Sequence, residues 1–156
     1  MLIIDIPGKG CLTLAHLVLD VNGTIAFDGV LIDGVEEAVA ALGGTLKVAL
    51  VTADAHGGAA AMAASLGVGV TVIEPGNESA QKAAFVESLG ASSTVAVGNG
   101  ANDDAMLKAS AIGICVIGPE GAAGPAVVSA DVVTRSIGDA LGLLRVPSRL
   151  TATLRV

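Results

Sequence analysis

The sequence has no tryptophan or tyrosine, and only two phenylalanines in 156 residues. Its core must therefore be assembled without large rings, from Val, Leu, Ile and Ala, because hydrophobic residues still make up 53% of the chain. Such side chains suit helices laid closely on a parallel sheet, whose central strands are buried on both faces. Basic residues are scarce too: eight Lys and Arg face fifteen Asp and Glu, for a formal net charge of −7. That balance excludes the basic footprint of a nucleic-acid binder and gives no attraction to anionic membranes. The only local concentration, Arg145, Arg149 and Arg155, is too sparse to act as a patch. The two cysteines, Cys11 and Cys115, lack CxxC spacing, which excludes a thiolate metal cluster and leaves buried free thiols as the expectation. No apolar run reaches the roughly 18 residues of a membrane helix. The opening MLIIDIPGKG has no long apolar stretch of the signal-peptide kind. The expected location is the cytoplasm, and the expected organisation is one domain over residues 1–156.

What is present is alternation. Met1 to Ile6 reads as a strand and Pro7-Gly8-Lys9-Gly10 as a turn. CLTLAHLVLD, Cys11 to Asp20, reads as one second strand, so that residues 1–10 open a hairpin leading into a central strand. Val21 to Gly34 is loop-like, with short strand pieces near Ile25 and Val30. Further strands are expected at Leu46 to Ala53, Val68 to Glu74, Ser92 to Gly98, Ala111 to Gly118 and Asp131 to Thr134. Helices are expected at Glu36 to Leu42, Ala55 to Leu66, Glu78 to Leu89, Asn102 to Ser110, Glu120 to Ala130 and Ile137 to Leu144, with Pro147 ending the last and 146–156 left as a tail. Strands alternating with helices predict an α/β fold, Rossmann-like, with a mainly parallel sheet, helices on both faces and an N-terminal β-hairpin. Ligands in such folds bind beyond the carboxyl ends of the strands. Those ends deliver Asp20, then Thr52 and Asp54, then Asn99, Asn102, Asp103 and Asp104.

Each delivery has two readings. DVNGT, Asp20 to Thr24, is either a turn capped by Thr24 or a nucleophilic carboxylate that attacks phosphorus, with loop amides such as that of Gly23 holding the transferring oxygens. VTAD, Val51 to Asp54, is either a helix N-cap or a phosphoryl-binding hydroxyl on Thr52 beside the Ala53 backbone; the two roles are compatible. Lys82 is either a solvated surface lysine or a counter-charge for the phosphoryl group. GNGANDDAML, Gly98 to Leu107, is either a capped helix start or a hard-cation site for Mg²⁺. A dinucleotide-binding loop is excluded there, because Asp103 stands where the third glycine belongs.

Taken in order, DVNGT, VTAD, Lys82 and GNGANDDAML resemble the four motifs of the haloacid dehalogenase superfamily. The Gly-Thr after the carboxylate and the GxGxND pattern are most similar to the branch related to the phosphorylation domain of P-type ATPases. The resemblance spans Leu17 to about Ile117. It implies an aspartyl phosphate on Asp20, Thr52 on the phosphoryl group and Lys82 offsetting charge. It also implies Mg²⁺ held by Asp20, the backbone carbonyl of Asn22 and the Asn99/Asp103 segment. Two positions depart from the family pattern. Asn22 stands where a phosphatase usually has an Asp serving as general acid and base, which implies slow turnover. Asn99 stands where a metal-binding Asp is usual, unless Asp103 or Asp104 makes up the charge. A non-catalytic phospho-acceptor or phosphate-binding regulatory module is the alternative reading. No cap domain fits between the motifs, so the site should be open, with a homo-oligomer as one way to cover it. The implied partners are a small phosphorylated substrate or a phosphoprotein. His16 reads as a strand residue, and His56 as a surface or rim residue.

Overall fold

The computed structural model describes residues 1–54 and 57–156. Its centre is a six-stranded, wholly parallel sheet. In chain order the strands are β3 (His16–Asp20), β6 (Lys47–Thr52), β7 (Gly69–Val72), β8 (Thr94–Gly98), β9 (Ile112–Val116) and β10 (Val132–Thr134). In space they run β10-β9-β8-β3-β6-β7. The chain starts in the middle, winds outward through β6 and β7, then crosses back to β8 and winds the other way. The reversal leaves a crevice between β3 and β8, and that is where a doubly wound sheet binds its ligand.

The alternation of side chains along these strands builds two cores. Leu17 and Leu19 of β3, Val95 and Val97 of β8, and Ile112, Ile114 and Val116 of β9 face one side. They pack there with α1 (Val35–Gly43) and α6 (Ile137–Arg145) through Val39, Leu42, Leu141 and Leu144. Val18, Val51, Ala96 and Cys115 face the other side. They meet α3 (Glu78–Leu89), α4 (Asp104–Ala109) and α5 (Gly124–Ser129) through Val86, Met106, Leu107 and Ala126. Both cores are aliphatic, as the shortage of aromatics requires. Gly113 shows how closely they pack: a Cβ there would stand 2.3 Å from the carbonyl oxygen of Leu107. The sheet can approach α4 at that point only through a glycine.

The expected fold class is borne out, with four local differences. First, Cys11 to Asp20 is two strands. β1 (Leu2–Ile6) and β2 (Gly10–Leu14) form a separate antiparallel hairpin, and β3 begins after Ala15. At Ala15 the backbone changes partners: its N–H donates to Ser93 and its carbonyl accepts from Lys47. Second, Cys11 is exposed while Cys115 is buried. Cys11 sits opposite Asp5 on the outer face of the hairpin, whereas Ile4, Ile6 and Leu14 turn inward. Third, the helix expected from Glu120 starts at Gly124. Pro125 lies in its first turn, where a missing N–H costs nothing, so the proline initiates the helix instead of interrupting it. Fourth, the tail is helical. Pro147 ends α6 and opens α7 (Pro147–Leu154), whose Leu150 and Leu154 are buried. Thr151 donates to the Asp5 carbonyl at 3.2 Å, fixing α7 to β1.

The connection from β3 to β6 carries β4 (Ala26–Phe27), β5 (Val30–Leu31) and α1, while that from β6 to α3 carries α2 (Gly58–Leu66) and β7. Among the described residues, neither holds a cap domain. The β4–β5 hairpin is the small flap that the loop allows. The expected helix start at Ala55 and the rim position of His56 lie outside the described residues. No helix among those described is long and apolar enough to cross a membrane.

Candidate active site

Asp20 is the last residue of the central strand, and it is buried. The chain then turns tightly. The Val21 carbonyl accepts from the amides of Thr24, Ile25 and Ala26, and Gly23 takes a positive φ of 79°. Thr24 is thereby folded back under Asp20, and its hydroxyl lies 3.0 Å from Asp20 Oδ2 and 3.2 Å from Asn99 Oδ1. The Gly23 amide, expected to hold phosphoryl oxygens, instead donates to the Ala26 carbonyl at 2.8 Å, so it is used up in closing the turn. What Gly23 contributes is space. A Cβ there would stand 2.4 Å from Asn99 Nδ2 and 2.5 Å from Glu120 Oε2.

Lys82 is the centre of the arrangement. It is 1% exposed, on a chain with few cations. Its burial follows from helix geometry: Lys82 and Val86 are one turn apart on the face of α3 that meets the sheet. Nζ donates to Asp20 Oδ1 at 2.7 Å and to Asp103 Oδ1 at 2.6 Å, with Asn102 Oδ1 at 3.4 Å. Asp103, fully buried, accepts with its other oxygen from the amides of Asn99 and Gly100, at 2.9 and 2.8 Å. It therefore ties the turn after β8 to the lysine. Asn102 is held in turn by Glu78, 2.8 Å from its side-chain nitrogen. Asp104 faces elsewhere: its carboxylate bonds Ser79 of α3 and the Ala105 amide.

The electrostatics follow from this burial. Desolvation is the largest influence on Asp20, and the charge of Asp103 acts in the same direction. Lys82 and Thr24 oppose them, and the carboxyl ends up raised from 3.8 to about 6. For Lys82, burial works against the charge, but Asp20 and Asp103 outweigh it and hold the ammonium above its ordinary value. At neutral pH Asp20 and Lys82 are therefore charged.

Above them lies a pocket of about 410 Å³, lined by Asp20, Asn22, Thr52, Ala53, Lys82 and Asn99, with Asp54 and Glu120 at its sides. Thr52 is 1% exposed, and its oxygen accepts from the Asp54 amide at 3.1 Å. The helix-capping reading of VTAD does not hold: α2 begins at Gly58 with Gly57 at its cap and no side-chain cap, and the Thr52 oxygen closes only the local turn to Asp54 at the edge of the pocket. The structure thus brings Asp20, Asn22, Thr52, Ala53, Lys82 and Asn99 to one cavity, with Asp103 directly beneath. Sequence reasoning missed two members. Thr24 joins two motifs through one hydroxyl. Glu120 comes from the loop after β9, where GPEGAAGP reads as a turn. For Thr24 the signal was its place four residues after Asp20; for Glu120 there was none.

A carboxylate at the end of the central strand, a buried lysine bonded to it and a hydroxyl from the neighbouring strand thus meet at one pocket. The fold is shared with 3-deoxy-D-manno-octulosonate 8-phosphate phosphatases from two bacteria, on which the chain superposes. The Moraxella catarrhalis structure, a complex with magnesium, phosphate and the sugar acid, matches with a TM-score of 0.66 and 17% identity, over 91% of this chain and 94% of that one. The cobalt-bound Haemophilus influenzae structure matches with a TM-score of 0.72 and 12% identity, over 92% and 94%. A zinc-transporting PIB-type ATPase in its E2·Pi state is 27% identical with a TM-score of 0.65, over 78% of this chain but 20% of the ATPase. An uncharacterised protein of Methanocaldococcus jannaschii is 51% identical over 61 residues, which are 39% of this chain and 66% of that protein. The match thus spans slightly less than two thirds of that relative's length. No protein-family model matches the chain.

Proposed function

We propose that this chain is a Mg²⁺-dependent phosphohydrolase or phosphotransferase acting through an aspartyl phosphate on Asp20, of the capless, P-type-ATPase-like kind. One observation carries the reading: the buried lysine bridging Asp20 and Asp103, beneath an open polar pocket at the sheet's switch point. Buried ion pairs are poor devices for stability, because desolvating the charges offsets most of their attraction. They are effective for presetting charge where a dianionic group must react.

The donor set fits Mg²⁺. The Asp20 carboxylate, the Asn22 backbone carbonyl and the Asn99 amide oxygen are hard oxygens. No group of three or more His, Cys, Asp and Glu able to hold a metal occurs among the described residues. Mg²⁺ takes oxygen ligands and keeps several waters. Asp103, with its oxygens already engaged, serves this segment by holding Lys82 and the Asn99–Gly100 backbone. When bound, Mg²⁺ supplies electrophilic charge to the phosphoryl oxygens.

The chain's own residues do the rest. An Asp20 oxygen attacks phosphorus, and the bond to the departing oxygen breaks with its electron pair on that oxygen. Lys82 keeps Asp20 aligned and offsets the charge that gathers, while Thr52 donates to a phosphoryl oxygen. Water then attacks the phosphorus, releasing phosphate and restoring Asp20. Asn22 lines the pocket but exchanges no proton near neutral pH, so it helps neither the departing oxygen nor the attacking water. That absence slows both steps and favours a long-lived phospho-Asp20. It is also the observation behind a second reading, in which the chain is a phospho-acceptor module whose modified state is its output.

Kinetics of acetyl phosphate hydrolysis with Mg²⁺ test the enzymatic reading. Asp20→Asn is expected to fall to the uncatalysed background, and chelation of the metal to do the same. Hydrolysis that survives Asp20→Asn would contradict it.

A further inference from the structure

We infer that Glu120 supplies the anionic metal ligand that Asn99 lacks, directly or through one water; this rests on the Mg²⁺-dependent reading above. Glu120 follows β9 in the exposed loop 117–123, and its carboxylate has no hydrogen bond or ion pair among the described residues. It does not point away into solvent. Oε2 lies 2.5 Å from where a Gly23 Cβ would be, and Asn99 Nδ2 lies 2.4 Å from the same point. The carboxylate and the Asn99 side chain, which turns its nitrogen to this point and its oxygen to Thr24, therefore meet beside Gly23 at one corner of the pocket. Asp20, Asn22 and Asn99 line the same pocket as Glu120.

The loop is held at that corner by Asn99 itself. Its backbone carbonyl accepts from the Ala123 amide at 2.8 Å, and its side-chain nitrogen reaches the Gly121 carbonyl at 3.4 Å. An Asp at position 99 would have no donor for Gly121 and would repel Glu120. An amide at 99 and a carboxylate at 120 are thus complementary. The negative charge has moved across the corner instead of being lost. Charge counting agrees. Lys82 already draws on both Asp20 and Asp103, so without Glu120 the three buried groups would offer a divalent cation a net charge of only about −1.

The test is Mn²⁺ binding to the full chain without any substrate, followed by the paramagnetic resonance of the free ion. Glu120→Gln is expected to weaken binding about tenfold or more. Asn99→Asp combined with Glu120→Gln, which returns the charge to the opposite side of the corner, is expected to recover most of the loss. Glu120 is exposed, so its single substitution leaves the fold intact; Asn99 is buried, and circular dichroism checks the double variant. An unchanged affinity in Glu120→Gln, even with slower turnover, would overturn the ligand role and leave the Asp20 reading standing. A wild-type chain that binds no Mn²⁺ would overturn both.

Discussion

Replacing Lys82 by Met is expected to destabilise the protein by about 3–5 kcal/mol, because it leaves Asp20 and Asp103 buried with no counter-charge between them. For a chain of this size that corresponds to a fall in melting temperature of roughly 6–20 °C. Few single changes reach this magnitude, and it would consume a large part of the stability of an ordinary domain. The loss should depend on pH in a defined direction. Asp20 already titrates near 6 in the folded chain against 3.8 for the free side chain. A folded-state value raised in this way means that protonation favours the folded form, so stability rises as pH falls from the folded value toward the unfolded one. Without Lys82, the influence that pulls Asp20 down is gone, and its folded value moves higher still. The variant should therefore regain stability on acidification from about pH 7 toward pH 5, by up to about 1.4 kcal/mol per unit for each carboxyl that takes a proton. The wild type should show the same sign more weakly, over about pH 6 to 4. Lys82 itself acts at the alkaline end: its raised value contributes stability below its free value of 10.5, lost as pH rises past its folded one. Melting followed by far-ultraviolet circular dichroism is the measurement, since a chain without tryptophan or tyrosine gives almost no intrinsic fluorescence. A variant that melts with the wild type would show that the three groups do not interact as described.

The second large effect concerns rate. Asn22→Asp places a carboxyl two residues after Asp20, on an exposed pocket residue where it costs little to introduce. If turnover is limited by a missing acid and base, phosphate release should rise about 10²–10⁴-fold. Colorimetric phosphate release under saturating donor checks this. A rate that stays level or drops would mean that proton transfer does not limit the reaction, and the slow step would have to lie elsewhere.

Much of this architecture was legible in the sequence. The helix at Glu78–Leu89 and the parallel strands lie where patterning places them, because each strand is a largely aliphatic run; β3, β6 and β10 end in Asp20, Thr52 and Thr134. The break at Ala15 was not legible: Cys11 to Asp20 is continuously strand-like, and only the exchange of pairing partners divides it. The terminal helix was hidden for a related reason. Its sequence, Pro147–Leu154, carries no side-chain cap, and its buried Leu150 and Leu154 pack in the core that it shares with β1. At the site, the residues given by motif order converge on one pocket. The burial of Lys82 had a signal, its helical spacing with Phe85, Val86 and Leu89, which a charge-based reading overlooks. Glu120 had none, because a loop residue 21 positions after Asn99 becomes its neighbour only once β9 is laid beside β8.

The central claim is that Asp20 accepts a phosphoryl group. The direct measurement is the intact mass of the protein after incubation with Mg²⁺ and a small acyl phosphate and an acid quench, beside Asp20→Asn. A phosphoryl adduct on the wild type alone is the predicted result. Its decay rate then separates a slow phosphatase from a phospho-switch. No adduct, with the donor left unconsumed, would contradict the account and leave a fold that has kept the pocket and lost the chemistry.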